Sequence, residues 1–277
     1  MKSIIYNILF IFTLFILFTS CKDEIETTHI NPTEGLTKLQ STYVPATATK
    51  MEIWGKKNFF MGYNKLTIIL LDSASNDTIK DAHIHLMPVM TMGSVMMAMQ
   101  HACPVENPDE EAVNGAFQGA VAFVMPTSTD GSWKLSVAVH NHQTDKEGTA
   151  TLDVTVDNPA TTVMSVFTAT TADASKLVLS LVEPSTPKVG MNDIEFTLHR
   201  KESMMSWPAD STYSIEITPE MPSMGHGSPN NVNPTHTANG HYKGKVNFTM
   251  TGEWKINVAV KKDGATVSNN TNFIVVF

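Results

Sequence analysis

Apolar positions along this chain recur every second residue in short runs. Phe117, Val121 and Phe123 alternate with small or polar neighbours, and Trp254, Ile256, Val258 and Val260 do so in "EWKINVAV". A period of two belongs to a strand with one buried face. The runs are separated by Gly, Pro, Asn and Asp, and no helical period is sustained. The pattern therefore predicts an all-β chain.

The strands are also predicted twice. "MGYNKLTIILLD" from Met61 corresponds to "VGMNDIEFTLHR" from Val189, and "NGAFQGAVAFVM" from Asn114 to "NGHYKGKVNFTM" from Asn239. "SWKLSVAV" from Ser132 then corresponds to "EWKINVAV" from Glu253. Three blocks in one order mark a duplication. Each copy offers six or seven strands over about a hundred residues, the size of one immunoglobulin-like sandwich. The expected fold is all-β, with two tandem immunoglobulin-like β-sandwich domains at 49–157 and 163–277, divided at "DNPATT". No Cys-Trp-Cys framework is present, so antibody-type domains are excluded.

The start of the chain follows another pattern. Lys2 precedes an apolar run from Ile4 to Phe18 and then "TSC", which reads as a signal peptide over 1–20 rather than a membrane span. The end of that run resembles a bacterial lipobox, which implies lipid on Cys21 and a membrane partner through it. "KDE" after Cys21 resembles the export signal of Bacteroidetes-type lipoproteins, implying an outer membrane lipoprotein exposed at the cell surface. Residues 21–48 are polar and Thr-rich and lack either periodicity, so a flexible tether is expected there.

Charge and cysteine content narrow the function. A formal charge of −8 without a basic patch argues against nucleic acid. With Cys21 lipidated, Cys103 is the only other cysteine, so no internal disulfide is expected. No nucleophile, base and orienter set and no Gly-rich phosphate loop is recognisable, and "HNH" at His140 to His142 lacks the helical context of a metallohydrolase. The chain is expected not to be an enzyme.

The remaining chemistry lies in methionine. Six of the 17 methionines fall between Met87 and Met99. "MPVM" from Met87 leads to His101, and "MPSMGH" from Met221 leads to His226. A packed core favours Leu, Ile and Val, whose rotamers are better defined. Thioethers with imidazole or thiolate select Cu(I). The expected ligands are Met221, Met224 and His226, with His241 or His236 as a further donor, and in the first copy Met87, Met90 and His101. Met92, Met96, Met97, Met99 and Cys103 supply alternatives in the first copy, Cys103 being equally readable as a small buried residue. Met51, Met61, Met125, Met164, Met191, Met204, Met205 and Met250 read as core filler or adaptable contact surface. His83 and His85 share one strand face, as do His140 and His142, and spacing does not bring them to the methionines.

"MPSMGHGSPNNVNPTHTANGHYKGKVNFTMTGEWKINVAV" resembles the YtkA-like domain family, related to FixH, and the likeness covers most of 187–277. The first copy is a looser version with a methionine-filled insertion. The resemblance implies an extracytoplasmic β-sandwich concerned with copper handling or oxidase assembly. The expected function is a membrane-anchored copper-binding lipoprotein that buffers Cu(I) or delivers it to a protein partner. The alternative is a non-enzymatic surface module whose Met-rich loops contact another protein.

If Cys21 carries lipid, Cys21→Ala abolishes incorporation of labelled fatty acid. Unchanged labelling in that variant contradicts the anchor.

Overall fold

The computed structural model describes residues 30–93 and 98–277. The signal segment, Cys21, "KDE", Met96 and Met97 lie outside the described residues. Among the described residues there is no α-helix, and none long and apolar enough to cross a membrane.

The first copy comprises β1 (Thr37–Val44), β2 (Thr49–Gly55), β3 (Gly62–Asp72), β4 (Ala82–Met92), β5 (Met99–Ala102), β6 (Val105–Glu106), β7 (Phe117–Phe123), β8 (Gly131–Asn141) and β9 (Lys146–Val154). The second comprises β10 (Met164–Thr168), β11 (Lys176–Glu183), β12 (Gly190–Arg200), β13 (Ser214–Met221), β14 (His226–Gly227), β15 (Val232–His236), β16 (His241–Phe248), β17 (Glu253–Lys262) and β18 (Ala265–Val276). In the first copy a five-stranded sheet, β1-β2-β3-β7-β6, accompanies a four-stranded one, β5-β4-β8-β9. The second repeats this as β10-β11-β12-β16-β15 and β14-β13-β17-β18. The chain is thus two tandem antiparallel β-sandwiches of the immunoglobulin-like kind.

Alternation builds the cores. Trp133, Leu135, Val137 and Val139 of β8 face inward and are buried, as are Trp254, Ile256, Val258 and Val260 of β17. Each indole N–H finds a carbonyl: Trp133 Nε1 donates to Met125 O and Trp254 Nε1 to Met250 O, both at 3.0 Å. Asn64 and Asn192 also repeat one role. Each side chain is buried, accepts from the backbone N–H of Phe60 or Lys188 at 3.0 Å, and donates back to that residue's carbonyl. A buried amide is tolerated only when its polar atoms are paired in this way.

The expected tether needs correction. Residues 37–44, read as part of it, form β1, which pairs along β2 from Thr37 opposite Gly55 to Val44 opposite Thr49. Val44 is fully buried. β1 is an edge strand whose other residues are mostly exposed, so its polar Thr-rich sequence hides the alternation. The cores also touch. Met164 and Val178 of the second sandwich are buried with the residues of the first core.

Trp133→Ala and Trp254→Ala should each destabilise the chain by about 3–5 kcal/mol, because each removes a fully packed indole. Urea denaturation measures this, and a loss below about 1 kcal/mol for either contradicts the packing described.

Candidate soft-metal site

β4 and β13 hold equivalent places, and their pairing fixes which methionines are equivalent. Pro88 lies opposite Leu135 and Met90 opposite Trp133. Pro219 lies opposite Ile256 and Glu220 opposite Lys255, which brings Met221 to the level of Trp254. Met90 therefore corresponds to Met221, not to Met224. The shared "Met-Pro-x-Met" is offset by three residues between the copies. Because three is odd, the offset also exchanges faces.

In each copy this methionine is buried, Met90 at 1% and Met221 at 2% exposure. Opposite it across the hairpin stands a histidine, His101 facing Met90 and His226 facing Met221. Directly opposed residues project to the same face of a sheet. Each imidazole meets the tryptophan edge-on, His101 to Trp133 at 5.4 Å and His226 to Trp254 at 5.9 Å between ring centroids. A glycine leaves room for the methionine methyl. A Cβ on Gly131 would overlap Met90 Cε, and one on Gly252 would come within 3.1 Å of Met221 Cε.

The histidines also share a tautomer. His101 Nδ1 lies 3.2 Å from Ala102 O and His226 Nδ1 lies 2.9 Å from Gly227 O. A carbonyl only accepts, so Nδ1 carries the proton and the neutral ring presents its lone pair at Nε2. Metal-binding imidazoles are commonly held this way. His101 Nε2 is buried and has no hydrogen-bond partner. A buried methionine and an imidazole whose Nδ1 is held by a carbonyl thus lie opposite each other across the hairpin in both copies.

Further thioethers differ between the copies. In the first, Met92 follows Met90 on the same face, partly buried against the core, and exposed Met99 lies opposite it. In the second, Met224 is 62% exposed at the hairpin turn, where its N–H and that of Gly225 donate to Met221 O. Among the described residues, no group of three or more His, Cys, Asp or Glu side chains is placed to hold a metal ion.

Several expected ligands lie elsewhere. Met87 is an odd number of residues from Met90 on β4, so it points to the opposite face and cannot join it at one ion. Cys103 is buried, and burial pushes its thiol well above the ordinary range. His241 is excluded as a fourth ligand. Its Nδ1 bonds Glu195 at 2.6 Å and its Nε2 bonds Glu106 at 2.8 Å, leaving no lone pair. These two hydrogen bonds raise it to about 9. Burial opposes ionisation of Glu195, but the His241 hydrogen bond and the Lys243 charge outweigh it and hold the carboxyl below its usual range. Glu106 belongs to the first sandwich and also accepts from Tyr63 Oη at 2.8 Å, so this cluster clamps the two copies together. His236 is exposed beside Tyr242 on the other sheet of its sandwich. His83, His140 and His142 pair with carboxylates of Glu110, Asp145 and Asp81.

Of the other methionines, Met51 and Met164 are core, whereas Met191, Met204, Met205 and Met250 are exposed. His199 and Trp207 were not readable as site residues. His199 is 3% exposed, burial lowers it to about 4 so that it is neutral, and its Nδ1 lacks a partner, as does Trp207 Nε1.

The YtkA-like family model matches residues 171–259, within the second sandwich and including Met221, His226 and Trp254. No curated protein matches the chain. Among solved structures, domains 5-6 of the S-layer protein SbsC are 11% identical, with 87% of this chain and 97% of that one covered at a TM-score of 0.29. Invasin, a bacterial integrin-binding protein, is 11% identical, with 83% and 39% covered at 0.26. The titin Ig tandem domains are 9% identical, with 79% and 89% covered at 0.17. Likenesses this loose bear on neither hairpin.

The clamp predicts a pH dependence. A histidine raised from 6.5 to about 9 contributes stability that is complete below pH 6.5 and lost as pH rises through about 9. Thermal unfolding between pH 6 and 10 should fall more steeply for the unaltered chain than for His241→Gln. Parallel curves contradict the clamp.

Proposed function

We propose that this chain is a non-enzymatic, extracytoplasmic Cu(I)-binding lipoprotein that buffers the ion or passes it to a protein partner. The observation that carries the reading is the duplicated triad of Met90, His101 and Trp133 and of Met221, His226 and Trp254 at the hairpin end of each sandwich. His101 with Met90 and Met92 would hold one ion, and His226 with Met221 and Met224 another. Cu(I) is the cargo, and thioethers suit it because they bind soft ions without competing for protons. The indole packed against each imidazole stands close enough for its emission to report an ion bound there. The second hairpin, whose Met224 is exposed, is the one from which an acceptor's ligands could take the ion. Lipid on Cys21 would hold the protein on the outer membrane, exposed at the cell surface.

The exposure of Met99, Met204, Met205 and Met224 favours a second reading, an adaptable contact surface for a protein partner. Leucine distinguishes the two, since it keeps apolar bulk and removes sulfur. In anaerobic Cu(I) titrations against a competing chelator, Met90→Leu and Met221→Leu should each bind one tight ion fewer than the unaltered chain. His101→Ala and His226→Ala should do the same, and the quenching of tryptophan emission by Cu(I) should shrink in every variant. Unchanged stoichiometry and affinity in both leucine variants contradict the copper reading and leave the contact surface.

A further inference from the structure

The alternation that turns Met90 inward turns Met87 outward, where residues of the other copy border a cleft beside it. The loop between β12 and β13 reaches across to the first sandwich, where Ala102 N–H on β5 donates to Met204 O at 2.8 Å. Beneath it lies a cleft of about 620 Å³ whose walls include His85, Met87, Cys103, His199, Met205 and Trp207. Soft donors thus come from both copies: Met87 and Cys103 from the first, His199 and Met205 from the second.

Two buried polar atoms at this cleft are unpaired, His199 Nδ1 and Trp207 Nε1. A buried polar atom without a partner is uncommon and calls for a ligand or a functional cause. His85 is not that partner. Asn107 Oδ1 accepts from Leu86 N–H at 2.8 Å, so its Nδ2 donates to His85 Nδ1 at 2.9 Å and the His85 lone pair is used. His199 is therefore the imidazole left free.

We propose that this cleft is a further Cu(I) site, bridging the two copies through Cys103 Sγ and a ring nitrogen of His199, with the Met87 and Met205 thioethers as additional donors. The proposal rests on the reading that the chain takes up Cu(I). A coordinating thiol gives up its proton, which passes to solvent, and the cation replaces it. Zinc fits poorly, because among the described residues no third His, Cys, Asp or Glu is placed to complete a shell with these two. Cu(I) accepts thioether sulfur in that role. This site differs in kind from the hairpin sites: its thiolate makes it the one suited to retention, and its ion ties one sandwich to the other.

The test is anaerobic Cu(I) titration of the purified chain, reading stoichiometry together with the thiolate-to-copper absorption in the near ultraviolet. The unaltered chain should show that band and bind one ion more than the two hairpins account for. Cys103→Ser, Cys103→Ala and His199→Asn should each bind one ion fewer, and both cysteine variants should lose the band. The double variant Met90→Leu with Met221→Leu should keep one ion and keep the band. Far-ultraviolet circular dichroism verifies that each variant is folded, and the two cysteine replacements guard against misfolding of either. Binding confined to the hairpins, without a thiolate band, overturns the cleft and leaves the wider reading intact. A chain that binds no Cu(I) overturns both.

Discussion

Strand parity is the constraint on which the structure depends. On β4 and β13 successive side chains face opposite ways, so an even separation joins two residues on one face and an odd one divides them. Met90 and Met221 fall on the inner face, each opposite a histidine and beside a buried tryptophan. Met87, three residues before Met90, falls on the outer face and enters the cleft between the copies. One strand thereby supplies soft donors to two separate environments. Hydrogen bonding reinforces the division, since the carbonyls of Ala102 and Gly227 leave a lone pair at Nε2 of each hairpin histidine.

The two copies share a frame and differ in access. Tryptophan, glycine, buried methionine and histidine occupy equivalent positions in both, and both indoles donate to the carbonyl of an equivalent methionine, Met125 or Met250. His101 is 6% exposed and its Nε2 is shut away from water, whereas His226 is only partly buried and has exposed Met224 beside it. Ligand exchange requires an incoming donor to reach the metal. A closed hairpin suits storage, and an open one suits transfer. Under the proposed function, the open second hairpin is the one that passes its ion on.

Much of the fold was legible because period two and internal duplication are local signals, carried by runs such as "SWKLSVAV" and "EWKINVAV". β1 was not, since an edge strand with one shallowly buried face has no need of alternating apolar residues. Within the sites, Met221 and His226 were legible from their closeness in sequence. The equivalence of Met90 with Met221 was not, because register against β8 and β17 decides it and the repeated "Met-Pro-x-Met" points to a different alignment. His241 looked like a ligand because the acids that occupy it, Glu106 and Glu195, lie 135 and 46 residues away. His199 and Trp207 gave no local signal; they line the cleft with Cys103 from strand β12 and from the loop that crosses onto the first copy.

The central claim is that methionine sulfur and imidazole nitrogen together bind Cu(I) in this chain. X-ray absorption at the copper K edge of the Cu(I)-loaded protein reads the donor atoms directly. The account predicts a Cu(I) edge with a shell of mixed sulfur and nitrogen, imidazole outer-shell scattering, and loss of the two hairpin ions, read as edge intensity per protein, from the Met90→Leu, Met221→Leu double variant. A shell of nitrogen and oxygen alone, or an edge intensity per protein unchanged by removal of both sulfurs, would contradict it.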